Sequence, residues 1–144
     1  MSMVTDKFFY LALKDSEVDG MTDGRIYNTA RPERDEEEDR LPYVIVTLDS
    51  VSNDPGTKDG GEGDYDTVTV SVLCVAETRG ALATLTSEVR QAVMRATYAD
   101  DESLTEETLN LRPLAYLFTA DGVQYDPAKP CYYQTMRYQC ETER

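Results

Sequence analysis

Pro42-Tyr43-Val44-Ile45-Val46-Thr47-Leu48-Asp49-Ser50-Val51 and Asp64-Tyr65-Asp66-Thr67-Val68-Thr69-Val70-Ser71-Val72-Leu73-Cys74-Val75 decide the fold of this chain. In the second segment Val68, Val70, Val72 and Cys74 alternate with Thr67, Thr69 and Ser71. Period two in β-branched residues predicts a strand with one face on a core and the other at least partly wet. The polar, glycine-rich stretch Ser52 to Gly63 joins the two strands into a long hairpin. It is too long for a tight turn, and loops of that length often carry function.

Outward from the hairpin, two helices are expected. Leu82, Leu85, Val89, Ala92, Val93 and Ala96 recur three and four apart, which predicts an amphipathic helix over Gly80 to Tyr98 lying on the sheet. Val4 to Val18 reads as a first helix, with Phe8, Phe9, Ala12 and Leu13 on its apolar side. Arg25 to Asn28 is a short strand candidate. Ser103 and Glu106 have capping-box spacing before a short helix, Leu104 to Asn110. Leu114 to Thr119 and Cys131 to Cys140 read as strands. Asp121-Gly122 is a turn signal and Asp126 to Pro130 a proline-bounded connection. The expected fold is α+β: one domain over residues 1–144, with a mainly antiparallel sheet of about four strands and two main helices on one face.

With 144 residues, 40% of them hydrophobic and 29% charged, the composition is that of a globular domain. No apolar run approaches the ~20 residues that span a bilayer, and no membrane association is expected. Met1 to Lys7 has no basic region followed by an apolar core, so no signal peptide is expected. Three cysteines without close pairing, Cys74, Cys131 and Cys140, favour a reducing compartment.

The 28 acidic residues outweigh 14 basic ones, giving a net charge of −14. That balance argues against tight binding to a nucleic-acid backbone. It suits a surface that repels DNA, one that imitates DNA, or plain solubility. The densest run, Glu33, Asp35, Glu36, Glu37, Glu38 and Asp39, has no apolar residue to bury and reads as a solvated connector.

Chemistry does not emerge from the residues. Histidine is absent, which excludes Ser-His-Asp and Cys-His arrangements. C-x-x-C pairs and nucleotide-binding glycine motifs are missing too. Gly60-Gly61-Glu62-Gly63-Asp64 fails the calcium-repeat pattern at Tyr65, and Gly56 and Lys58 fall where an EF-hand needs oxygen ligands. Asp49, Asp64 and Asp66 with Lys58 nearby would be the acids and lysine of a metal-dependent nuclease. Nothing fixes their spacing, and solvated loop acids explain them as well. No cofactor or metal is expected. An acidic DNA-mimic inhibitor of a DNA-binding enzyme is the alternative of a different class.

The layout resembles the small tail-completion, or tail-terminator, proteins of long-tailed bacteriophages and their prophages. The likeness runs through an N-terminal helix followed by Gly24-Arg25-Ile26-Tyr27-Asn28, then Leu41-Pro42-Tyr43-Val44 and Tyr65 to Val72. It continues through Glu88-Val89-Arg90-Gln91-Ala92-Val93, Ala120-Asp121-Gly122-Val123 and a polar closing strand, Tyr133 to Glu141. Each motif is soft, and their order carries the likeness. The resemblance implies a structural protein without catalysis or cofactor. It implies a ring of identical subunits, often a hexamer, that caps the tail tube and helps join it to the head. The implied partners are further copies of the chain, the tail-tube protein and a head–tail connector, with DNA passing through but not tightly bound. The implied location is the virion tail or head–tail junction, with the host cytoplasm during assembly. The acidic insert Glu33 to Asp39 departs from the family pattern. Asn53, Asp54, Lys58, Asp59, Glu62 and Asp64 of the hairpin loop are the expected assembly contacts, and the Glu33–Asp39 acids the expected rim or lumen.

Overall fold

The computed structural model describes residues 2–29, 40–55 and 62–143. A 3₁₀ turn at Ser2–Val4 leads into α1 (Thr5–Lys14), α2 (Glu17–Met21) and β1 (Ile26–Asn28). The long strands β2 (Tyr43–Pro55) and β3 (Glu62–Ala76) follow, then α3 (Arg79–Tyr98) and α4 (Glu106–Leu111). The chain closes with β4 (Leu114–Ala120), β5 (Gln124–Asp126) and β6 (Cys131–Glu143).

Six strands form one mixed sheet in the order β1-β2-β3-β6-β4, with β5 also on β6. β1 runs parallel to β2, and every other pair is antiparallel. The expected sheet of four mainly antiparallel strands with two helices is therefore corrected to a six-stranded mixed sheet with four α-helices among the described residues. The physical reasons are local. β1 pairs through only three residues, Ile26, Tyr27 and Asn28 against Val44, Ile45 and Val46. A parallel pair needs a crossover of about a dozen residues, and the charge run lies in that connection. β4 and β5 both pair antiparallel with β6, so they run in the same direction along one of its edges. Asp121-Gly122 is thus a break in an edge rather than a chain reversal. The reversal falls at Pro127 to Pro130.

The first helix is two. Asp15 caps the end of α1, and the Ser16 hydroxyl accepts from the Val18 N–H at 3.2 Å to begin α2. The cap of α4 is Thr105, which accepts from Thr108 N–H at 3.2 Å. The expected cap, Ser103, instead lies in a 3₁₀ turn.

The core lies between the sheet and the helices. Val68, Val70, Val72 and Cys74 of β3 are fully buried beneath Leu82, Leu85 and Val89 of α3 and Phe8, Phe9 and Leu13 of α1. Each buried Leu or Val contributes ~1.5–3 kcal/mol relative to exposure. Phe9 packs on Tyr138 with ring centroids 5.2 Å apart. Thr78 caps the 20-residue α3 by accepting from the Ala81 N–H at 3.1 Å.

Arg25 couples the start of β1 to the start of β2. Its guanidinium donates to the carbonyls of Pro42 at 3.1 Å and Leu41 at 3.2 Å. Gly24 before it has φ of +80°, a left-handed conformation that suits glycine. The two soft motifs Gly24–Asn28 and Leu41–Val44 are therefore one structural unit.

Candidate assembly surface

Helices leave the opposite face of the sheet uncovered among the described residues. Odd-numbered positions of β3 point there: Thr67, Thr69, Ser71, Leu73 and Val75. One end of this face is aromatic and aliphatic, with Tyr27 and Tyr43 rings 6.4 Å apart beside Ile45 and Leu73. The middle is polar. Arg137 pairs with Asp121 at 2.5 Å, and the Ser71 hydroxyl donates to Asp49. The hydrogen bond and charge of Asp121 hold the Arg137 guanidinium further toward its charged form.

The hairpin carries two irregularities. Register shifts fall between Leu48 and Ser50 and between Asn53 and Pro55. The first leaves Asp49 as an extra residue on β2, whereas the second sets Asp54 against Gly63 to Tyr65, so the extra residues there are on β3; such bulges increase local twist. Near the tip the Asn53 amide donates to the Tyr65 carbonyl at 3.3 Å and the Asp66 carboxylate at 2.7 Å. Asp66 is almost fully buried, so this amide supplies one of the contacts a buried carboxylate requires.

Of the expected assembly contacts, Asn53 is this inward clamp. Asp54, Glu62 and Asp64 occupy strand positions at the distal end of the hairpin. Lys58 and Asp59 lie outside the described residues, as does the whole run Glu33, Asp35, Glu36, Glu37, Glu38 and Asp39. The nuclease constellation is not assembled: Asp49 faces Ser71 on the bare side, while Asp66 shares the face of Val68 against the helices. No three His, Cys, Asp or Glu side chains cluster in metal-binding fashion among the described residues. The three thiols are free and buried. Burial pushes Cys140 up to about 12 and Cys74 higher still, which keeps both protonated. Cys131 is also raised, by burial first and then by the nearby Asp126.

A second surface was not anticipated from the sequence. Exposed large hydrophobic side chains concentrate along the β4–β5 edge and the adjoining side of α3. Leu114, Tyr116 and Phe118 of β4 are exposed, with Val123 and Tyr125 beyond them; Leu114 and Tyr116, in register with Glu141 and Gln139, lie on the helix-free face of the edge, while Met94 and Tyr98 of α3 flank it on the helix side. Between α3 and β4 runs a groove of ≈ 460 Å³ lined by Arg90, Met94, Tyr98, Tyr116 and Leu117, with Tyr138 at its floor. The Tyr138 hydroxyl is buried and has no hydrogen-bond partner among the described residues. Burial raises its pKa, and the Arg90 charge opposes that rise. The signal available in the sequence was the alternation Leu114, Tyr116, Phe118. Its meaning depends on β4 being an edge strand, which only the strand order reveals.

No protein-family model matches the chain, and no curated protein matches it. Among solved structures, it is similar to a chain from the virion of a native gene transfer agent particle, with a TM-score of 0.59 and 15% identity. The likeness covers 96% of this chain and 94% of that one. At that identity the two share a fold, including its near-complete extent in both chains.

Proposed function

We propose that this chain is a structural, non-enzymatic virion protein of a phage or prophage. In this reading it is a tail-completion protein that forms a ring, caps the tail tube and helps join tail to head. The observation that carries the reading is the fold shared, over almost the whole of both chains, with a chain of a gene transfer agent virion. The order of motifs from Gly24–Asn28 to Tyr133–Glu141 supports the narrower assignment. Its partners are then other copies of itself, the tail-tube protein and a head–tail connector.

Within this reading the hairpin segment from Asn53 to Asp64 contacts a neighbouring subunit or the tube. The Glu33–Asp39 acids line a rim or lumen, where like charge keeps passing DNA from adhering. The test is electron microscopy of gold-labelled protein mixed with assembled tail tubes. Label confined to one tube end supports the assignment, and label absent from both ends refutes it. Deleting Pro55 to Gly61 abolishes end binding if the hairpin makes the contact; unchanged binding removes the hairpin from the account.

A further inference from the structure

Among the described residues, seven of the ten exposed large hydrophobic side chains belong to the β4–β5 segment and to α3 beside it. β4 itself, Leu-Ala-Tyr-Leu-Phe-Thr-Ala, has no charge and no proline. Soluble proteins usually blunt an edge strand with charge or proline because its unpaired backbone groups recruit another strand. Here a bulge at Phe118 is the one irregularity.

We propose that this edge binds a second copy of the chain, head to tail, through the outer edge of that copy's β2 at Thr47 to Ser52. The inference rests on the ring reading above and assigns the two surfaces that meet.

Four observations select this occupant. The first is area. Met94, Tyr98, Leu114, Tyr116 and Phe118 are each 50–70% exposed. Side chains of this size then present on the order of 100 Å² each. Roughly 500 Å² in total, divided between the two faces of the sheet along this edge, is more than half of the ~800 Å² per partner typical of a stable interface. The second is the other edge of the sheet. β1 covers β2 only at Val44 to Val46, so no described strand pairs with Thr47 to Ser52 on that side. The Ser2–Val4 turn lies against β2 and brings the exposed Met3 and Val4 to that end, giving Met94 and Tyr98 an apolar counterpart.

The third is direction. β3 opposes β2, β6 opposes β3 and β4 opposes β6. A sheet continued in the same sense therefore brings β4 against the next β2 antiparallel, the stronger pairing. The fourth is charge. In a chain of net −14, α3 carries three arginines against one acid. Arg90 makes no ion pair among the described residues and borders the groove. The β2 edge from Thr47 to Ser52 carries no cation to repel it, and its acid, Asp49, faces the bare side. Pairing β4 with β4 about a two-fold axis would instead bring Arg90 toward its own copy. Different surfaces meeting head to tail generate a ring when the rotation closes.

The test uses rings of the full chain, formed alone or on tube ends and visible by electron microscopy. Ser50→Cys and Tyr116→Cys proteins are mixed and oxidised. The proposal expects a disulfide-linked dimer from the mixture and none from either protein alone. Tyr116→Glu with Phe118→Glu raises the concentration for half-assembly by at least about tenfold, with an unchanged melting temperature. Intact rings without the mixed crosslink, or a crosslink from Tyr116→Cys alone, overturn the edge assignment and leave the ring reading standing. A wild-type chain that forms no ring under either condition overturns both.

Discussion

Replacing Arg25 is the sharpest probe of how this sheet is put together. Its side chain is 15% exposed and donates to two main-chain carbonyls, Pro42 at 3.1 Å and Leu41 at 3.2 Å. These bonds fix the entry to β2 beside β1, where the sheet changes from antiparallel to parallel. Hydrogen bonds to a charged donor contribute ~1.5–3 kcal/mol each, and removing the donor leaves the carbonyls to find other partners. The bonds share one side chain and are not additive, so Arg25→Ala costs about 2–4 kcal/mol. Asp23 lies 3.8 Å away but is 88% exposed, and an ion pair so open to water is worth roughly 0–1 kcal/mol. In urea, with a slope of ~1.5 kcal/mol/M for a chain this size, the midpoint falls by ~1.3–2.7 M. Arg25→Lys keeps the charge but not the fork that reaches both carbonyls, so it loses most of the same stability. Asp23→Asn loses almost none. The reasoning is refuted if Arg25→Lys retains wild-type stability, or if Asp23→Asn costs as much as Arg25→Ala.

Other perturbations have equally definite expectations. Leu85→Ala empties a fully buried site between α3 and the sheet; it costs about 2–5 kcal/mol and, by calorimetry, lowers the melting temperature by roughly 10 °C. Thr78→Ala removes the α3 cap and costs about 1 kcal/mol in urea unfolding, whereas Thr78→Ser restores most of it. Raised pKa values at Cys74, Cys140 and Tyr138 mean that the folded state holds these protons after the unfolded chain has released them. Their contribution is thus complete below about pH 9 and is lost as pH rises toward 12, by on the order of 1.4 kcal/mol per group per pH unit. Urea midpoints measured from pH 9 to 11 should fall steeply, and Cys74→Ala with Cys140→Ala should flatten that fall.

What could be read in advance followed from how local each signal is. Val68, Val70, Val72 and Cys74 predict β3 because a sheet with one covered face imposes period two on any strand within it. Leu82 to Ala96 predict α3 for the matching reason at period 3.6. β1 was visible only as a candidate, since three residues carry too little pattern to announce a parallel partner. β5, Gln124-Tyr125-Asp126, has no alternation at all and exists because β6 extends beyond β4. Ser16 splits the first helix through a cap that the apolar pattern of Phe8 to Leu13 runs straight past. Arg25 is a part-buried cation held chiefly by main-chain carbonyls, and no side-chain pattern marks such a clamp. The apolar surface of Leu114, Tyr116 and Phe118 was legible as alternation but not as an interface. Which face of a strand stays uncovered is a property of the whole sheet.

The central proposal is that this chain is the ring subunit of a virion tail. Native mass spectrometry, with the protein alone and with tail tubes added, tests it most directly. The account predicts a closed oligomer of one fixed subunit number, enriched by the tubes and weakened by Tyr116→Glu with Phe118→Glu. A chain that remains monomeric in both conditions, or an open-ended series of oligomers without a preferred size, would contradict it.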